Sequence, residues 1–206
     1  FYQGQVCMGS SRILVEAPVY DAFLARFKAI TSSLGFGDLR HPQTVTGPII
    51  SHRQRDRVRQ HIEDAVANGA TLETGGVWDG NRCSSTILTG VKKNMICYYE
   101  ETFGPVTSVY KVESADEALA IANDTTYGLS AAVYTQNLAE AMRLAQGIHA
   151  GMVHINAPSL QDEPHVPFGG VGDSGMGREG AATDIDHCTE WKWITIQAPM
   201  AGGPAH

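Results

Sequence analysis

Residues 106–156 read VTSVYKVESADEALAIANDTTYGLSAAVYTQNLAEAMRLAQGIHAGMVHIN. Val106 to Val112 is rich in β-branched residues and predicts a strand. Ser114, with Glu117 three residues on, makes a helix cap, and Ala118, Leu119, Ile121 and Ala122 follow at core spacing. Ser130 to Tyr134 predicts a second strand. Leu138 to Gly147 predicts a helix packed through Ala141, Met142 and Leu144, and Gly151 to Asn156 predicts a third strand. Strand alternating with helix implies right-handed crossovers and an α/β fold, a parallel sheet flanked by helices.

Outward from this segment the pattern continues. Ser11 to Glu16 predicts a strand, and Pro18 opens a helix with Val19, Phe23, Phe27, Ile30 and Leu34 on one face. Residues 36–48 carry Gly37, Pro42, Gly47 and Pro48 and read as a loop. Ser51 with Gln54 forms a capping box for the next helix, which buries Val58, Ile62, Ala65 and Val66 and stops at Gly69. Its outer face holds Arg53, Arg55, Arg57 and Arg59. Asp56, Glu63 and Asp64 are interleaved with them, so a solvated face is preferred to an anion site. Residues 70–91 read as short strands joined by Gly75-Gly76 and Asp79-Gly80 turns. Residues 157–177 form a long Pro/Gly-rich loop of the kind that carries function. Trp191 to Gln197 alternates as a terminal strand, and Ala198 to His206 reads as a frayed tail.

The 206 residues are enough for one domain with a sizeable core, and 43% hydrophobic with 18% charged residues is ordinary for a soluble globular protein. A net charge of −7 with no basic run argues against a nucleic-acid partner, and no apolar run is long enough to cross a membrane. Cys7, Cys83, Cys97 and Cys188 are far apart without CxxC spacing. They read as free thiols in a reducing, cytoplasmic compartment. His149, His154 and His165 lack ligand spacing, so no metal site is expected.

Three stretches can carry chemistry. In Gln3-Gly4-Gln5-Val6-Cys7-Met8-Gly9-Ser10-Ser11-Arg12, small residues around a thiol permit close approach of substrate. Backbone N–H groups there can face a developing oxyanion. A thiolate can add to an aldehyde carbonyl, expel hydride and leave a thioester for water to hydrolyse. In Glu100-Glu101-Thr102-Phe103-Gly104-Pro105-Val106, paired carboxylates beside an aromatic suit a sugar diol and a flat ring, although an acidic turn before a strand would read the same way. The run from Pro167 to Gly180 contains GxGxxG at Gly170, Gly172 and Gly175. It follows a proline-bearing loop rather than a buried strand, so it does not read as a dinucleotide fingerprint.

Together these stretches resemble the aldehyde dehydrogenase superfamily, in family order and over nearly the whole chain, Gly4 to about Ile196. The wording HINAPSLQDEPHVPFGGVGDSGMGREG is similar to its aromatic-aldehyde branch. The resemblance implies a catalytic domain over residues 1–188, with Cys7 as nucleophile near its start. It also implies an oligomerisation strand and tail over 189–206, and an N-terminal NAD-binding domain that is absent, along with the general base, the oxyanion asparagine and the hairpin that partners the terminal strand. Glu101 and Phe103 would contact the nicotinamide riboside of NAD, with NADP not excluded. Val6, Met8, Leu160 and Phe168 would line an apolar pocket, and Asn156 would lie near the active site. The partners implied are a small aromatic aldehyde and further copies of the chain, as a dimer or tetramer. Two other readings stay open: a folded, self-associating domain without redox chemistry, and a thiol esterase.

Overall fold

The computed structural model describes residues 2–180 and 182–197. In chain order the elements are β1 (Arg12–Glu16), α1 (Ala17–Ser33), β2 (Gly35–Phe36), β3 (Thr44–Thr46), α2 (His52–Ala67), β4 (Thr71–Thr74), β5 (Trp78–Asp79), β6 (Arg82–Cys83), β7 (Thr86–Thr89) and α3 (Ile96–Tyr99). There follow β8 (Val106–Val112), α4 (Ala115–Ala122), β9 (Tyr127–Gly128), β10 (Ser130–Val133), α5 (Leu138–Gly147), β11 (Met152–Ile155), β12 (Val171–Gly172) and α6 (Ala182–Cys188).

The class is α/β, as expected, but the main sheet is mixed. Its order is β1-β8-β7-β4, with β1, β8 and β7 parallel and β4 antiparallel at the edge. β10 and β11 pair in parallel with each other in a sheet of their own, Ser130 opposite Met152 and Val133 opposite Ile155. Among the described residues, 191–197, the expected terminal strand, pair with no other strand. The expected tail, Ala198 to His206, lies outside the described residues.

β7 is central and buried at all of its residues, Thr86 to Thr89. On one side Val15, Ile87 and Val109 pack against Tyr20, Leu24 and Phe27 of α1. The face of α1 therefore differs from the expected one. Val19 and Ile30 are more than half exposed, and of the predicted stripe Phe27 joins this core cluster. Apolar residues line two sides of this helix, so periodicity alone could not choose between them. Elsewhere Ala65, Leu88, Met95, Tyr98 and Tyr110 form one cluster, and Ile49, Val58, Ile62 and Cys83 another.

Helix starts follow the caps. Ser51 Oγ accepts from Gln54 N–H at 3.2 Å and Ser114 Oγ from Glu117 N–H at 3.2 Å. At Ser114 the Glu117 carboxylate reaches one residue beyond the cap and accepts from Glu113 N–H at 2.7 Å, a variant of the capping box. At Ser51 it is half used, and the Gln54 side chain turns elsewhere.

Candidate active site

Cys7 is exposed at the corner of a β-turn that closes with Gly9 N–H donating to Val6 O at 3.0 Å. The turn is tied on three sides. On its entry side Gln5 Oε1 accepts from Ile50 N–H at 2.9 Å. Gly4 lies against the backbone of Gly104, so close that a Cβ on Gly4 would sit 2.1 Å from Gly104 O. This contact joins the cysteine stretch to the Glu100–Val106 stretch. On the exit side Thr107 Oγ1 of β8 donates to Ser10 O at 2.7 Å, and Ser108 N–H donates to Ser11 O at 3.0 Å. In the middle, Ser159 Oγ donates to Met8 O at 2.8 Å and pairs with Ser10 Oγ at 3.0 Å. Arg12, which ends the stretch, donates to the carbonyls of Ile121 and Asp124 at 2.9 and 3.0 Å and to Tyr98 O. Of the predicted pocket residues, Val6 and Met8 belong to this turn, and Leu160 directly follows its tether at Ser159.

Glu101 and Phe103 line one open groove of about 1000 Å³ with Arg53, Gln54, Asp56, Arg57, Gln60 and Tyr127. The groove wall is built by α2. Gln54 Nε2 donates to the carbonyls of Thr102 and Phe103 at 2.8 and 2.9 Å. Arg57 donates to Glu101 O at 2.9 and 3.1 Å and to the Glu100 carboxylate at 3.1 Å. His61 Nδ1 meets Thr102 Oγ1 at 2.9 Å in a buried contact. Positions 54, 57, 58 and 61 fall on one helical face, so one stripe of α2 holds the whole turn. Phe103 has φ +50, a conformation costly for an aromatic residue, and these bonds enforce it. Partial desolvation in the groove raises the Glu101 carboxyl pKa, with the Arg57 cation opposing.

α2 differs from the helix expected. Its arginine face is not simply solvated: Arg57 holds the Glu101 turn, Arg59 stacks on Trp78 at 4.6 Å, and Arg55 pairs with Asp56. His61 is buried where Val66 was expected, and Val66 is exposed. Burial, reinforced by the Arg57 cation, holds the His61 pKa below its ordinary value of 6.5, with Glu100 and Asp64 opposing. Folding therefore favours the neutral ring. This stabilisation is fully present above the unfolded pKa of about 6.5 and is lost as pH falls from there through the lower folded value. His61→Gln is expected to flatten that acid-side loss in urea melts run across pH. Parallel wild-type and variant profiles would count against the assignment.

Asn156 and Phe168 are set differently. Asn156 has φ +55, and its amide closes on Thr135, accepting from Thr135 N–H and donating to Thr135 O, both at 2.9 Å. Its side chain is thus used to join the ends of β10 and β11. Phe168 pairs through its backbone with Glu179, N–H to O at 2.8 Å in both directions, and is half-buried. The GxGxxG glycines lie in the Pro167–Gly180 run, where β12 pairs with β9. A dinucleotide fingerprint would instead open a helix after a buried strand. Among the described residues, His, Cys, Asp and Glu gather nowhere in groups that could hold a metal ion, and no helix is long and apolar enough to cross a membrane. Gln54, Arg57, His61 and Ser159 were not legible as site residues. The signals they left were the cap at Gln54 and the arginine face that includes Arg57, which reads as solvated.

Residues 1–194 match the aldehyde dehydrogenase family. The chain is 41% identical over 206 residues to a vanillin dehydrogenase of Pseudomonas fluorescens, covering 100% of this chain and 42% of that protein. It superposes on the crystal structure of a salicylaldehyde dehydrogenase from Pseudomonas putida G7 complexed with salicylaldehyde, with a TM-score of 0.92 and 38% identity over 98% of this chain and 42% of that one. A betaine aldehyde dehydrogenase from Staphylococcus aureus, solved with NAD+, matches with a TM-score of 0.86 and 32% identity over 91% of this chain and 38% of that one. The chain thus spans about two fifths of the length of these relatives. With motifs, fold and near-complete coverage in agreement, the chain belongs to the aldehyde dehydrogenase family.

Proposed function

We propose that this chain is the nucleophile-bearing part of an NAD(P)-dependent dehydrogenase that oxidises an aromatic aldehyde to its carboxylate. The observation that carries the reading is the exposed Cys7 turn seated directly against the Glu101–Phe103 turn through Gly4 and Gly104. A thiol and a groove for a sugar diol and a flat ring are thereby made neighbours. The aromatic preference is supported by the vanillin and salicylaldehyde relatives.

Cys7 acts as nucleophile: its sulfur bonds the carbonyl carbon, and the carbonyl π electrons move to oxygen, which the Cys7 backbone N–H helps hold. Return of those electrons to carbon expels hydride and leaves a thioester on Cys7. Water then cleaves the C–S bond, releasing the carboxylate and regenerating the thiol. The groove residues suit the nicotinamide riboside end of the cofactor: the Glu101 carboxylate can accept from a ribose diol, Phe103 offers a flat face and Arg57 a cation. When bound, NAD supplies the hydride acceptor. Val6, Met8, Leu160 and Phe168 form the apolar lining for the aldehyde ring, and Asn156 fixes the strand end beside it.

In this reading residues 1–188 are the catalytic unit. Residues 189–206 associate copies of the chain into a dimer or tetramer, an assignment supported by Trp191 and Trp193, both more than nine-tenths exposed. A second reading, Cys7-dependent ester hydrolysis without redox turnover, is favoured by the solvent-open form of the groove.

The test is NADH formation from salicylaldehyde, with propanal and with NADP run in parallel. The expected result is faster turnover of the aromatic aldehyde. Comparable turnover of propanal would refute the aromatic preference. Ester hydrolysis with no reduced cofactor would favour the second reading.

A further inference from the structure

Ser159 lies in the loop after β11 and is 6% exposed. It is joined to the Cys7 turn across about 150 residues of chain. Its carbonyl accepts from Ser130 Oγ of β10 at 2.8 Å, so its own backbone is fixed. Its hydroxyl has a single hydrogen, and that hydrogen goes to Met8 O at 2.8 Å. The 3.0 Å contact with Ser10 Oγ must then be donated by Ser10. The result is one relay, Ser10 O–H to Ser159 O–H to Met8 C=O. Met8 C=O and Gly9 N–H belong to the same peptide plane, and that N–H closes the turn on Val6 O. Both ends of the plane that closes the Cys7 turn are thus held, one by the turn and one by Ser159.

We propose that Ser159 is a positioning residue for Cys7: its hydroxyl, on a backbone fixed by β10, locks the last peptide plane of the turn and so holds the turn that presents the Cys7 thiol and its backbone N–H. The proposal rests on Cys7 being the nucleophile. It also makes the loop that carries Leu160 and the turn that carries Cys7 one mechanical unit.

The experiment uses the 206-residue chain, Ser159→Ala, and Ser159→Thr as the variant that keeps a hydroxyl. Three rates are measured: amide hydrogen exchange of residues 5–11, alkylation of Cys7 by iodoacetamide, and acylation of Cys7 by a nitrophenyl benzoate. In the acylation the sulfur bonds the acyl carbon and nitrophenolate leaves. Alkylation needs only the thiol, whereas acylation also needs the N–H groups aligned on the oxyanion. Loss of one buried hydrogen bond corresponds to roughly a tenfold effect. Ser159→Ala is expected to raise exchange in residues 5–11 about tenfold with β8 unchanged, and to lower the ratio of acylation to alkylation about tenfold. Ser159→Thr should recover most of both. Unchanged exchange and ratio, or exchange that rises equally in β8, would overturn the proposal. A parent chain with no Cys7-dependent acylation would instead remove the nucleophile assignment, while localised exchange would still establish the clamp.

Discussion

Cys7→Ala is expected to lower aldehyde oxidation and ester acylation by more than about a thousandfold, because no covalent intermediate can form without the sulfur. The thermal midpoint should hardly move. Cys7 is exposed at a turn corner, so its sulfur contributes no core packing. Parallel activity assays and melts check both halves. A variant that retains either chemistry would place the nucleophile elsewhere. One that loses activity together with several degrees of midpoint would show a structural role for the thiol.

The second large effect is expected at Gly4. A methyl group there would sit 2.1 Å from Gly104 O, backbone against backbone, at φ +67. Gly104 cannot retreat, because its own Cβ position lies 2.5 Å from Cγ2 of Val58, a fully buried residue of α2. Gly4→Ala should therefore cost about 2–4 kcal/mol, combining left-handed strain with an overlap that no rotamer relieves. Gly80→Ala is the control. It shares a positive φ of +57 with nothing within 4 Å, so it should show the conformational cost alone, about 1 kcal/mol. Equal losses for the two variants in urea melts would remove the Gly4–Gly104 contact as the join between the thiol and the groove.

What could be read from the sequence was local. β8 spans Val106–Val112, and the helix between Ser114 and Asn123 starts at its cap, because alternation and caps are properties of a few adjacent residues. The parallel relation of β10 and β11 followed from the helix between them, but their separation from the main sheet did not. Which of two apolar sides α1 buries depends on Val15, Ile87 and Val109, and α1's own sequence does not contain them. The candidate site divides in the same way. Cys7, Glu101 and Phe103 stand in recognisable wording. Gln54, Arg57 and His61 meet them across more than 40 positions, and Ser159 across about 150. Serine, glutamine and histidine are common on surfaces, so only the fold shows that these side chains converge on the two adjoining turns.

The most direct test of the central claim is peptide mapping after a short exposure to the nitrophenyl benzoate. The chain offers two exposed thiols, Cys7 and Cys188, beside the buried Cys83 and half-buried Cys97. Burial raises the Cys83 thiol to about 11 and pushes Cys97 upward as well, so neither competes near neutral pH. A benzoyl thioester found on Cys7 and not on Cys188 is the predicted result. A label shared equally with Cys188, or absent from Cys7, would contradict the account.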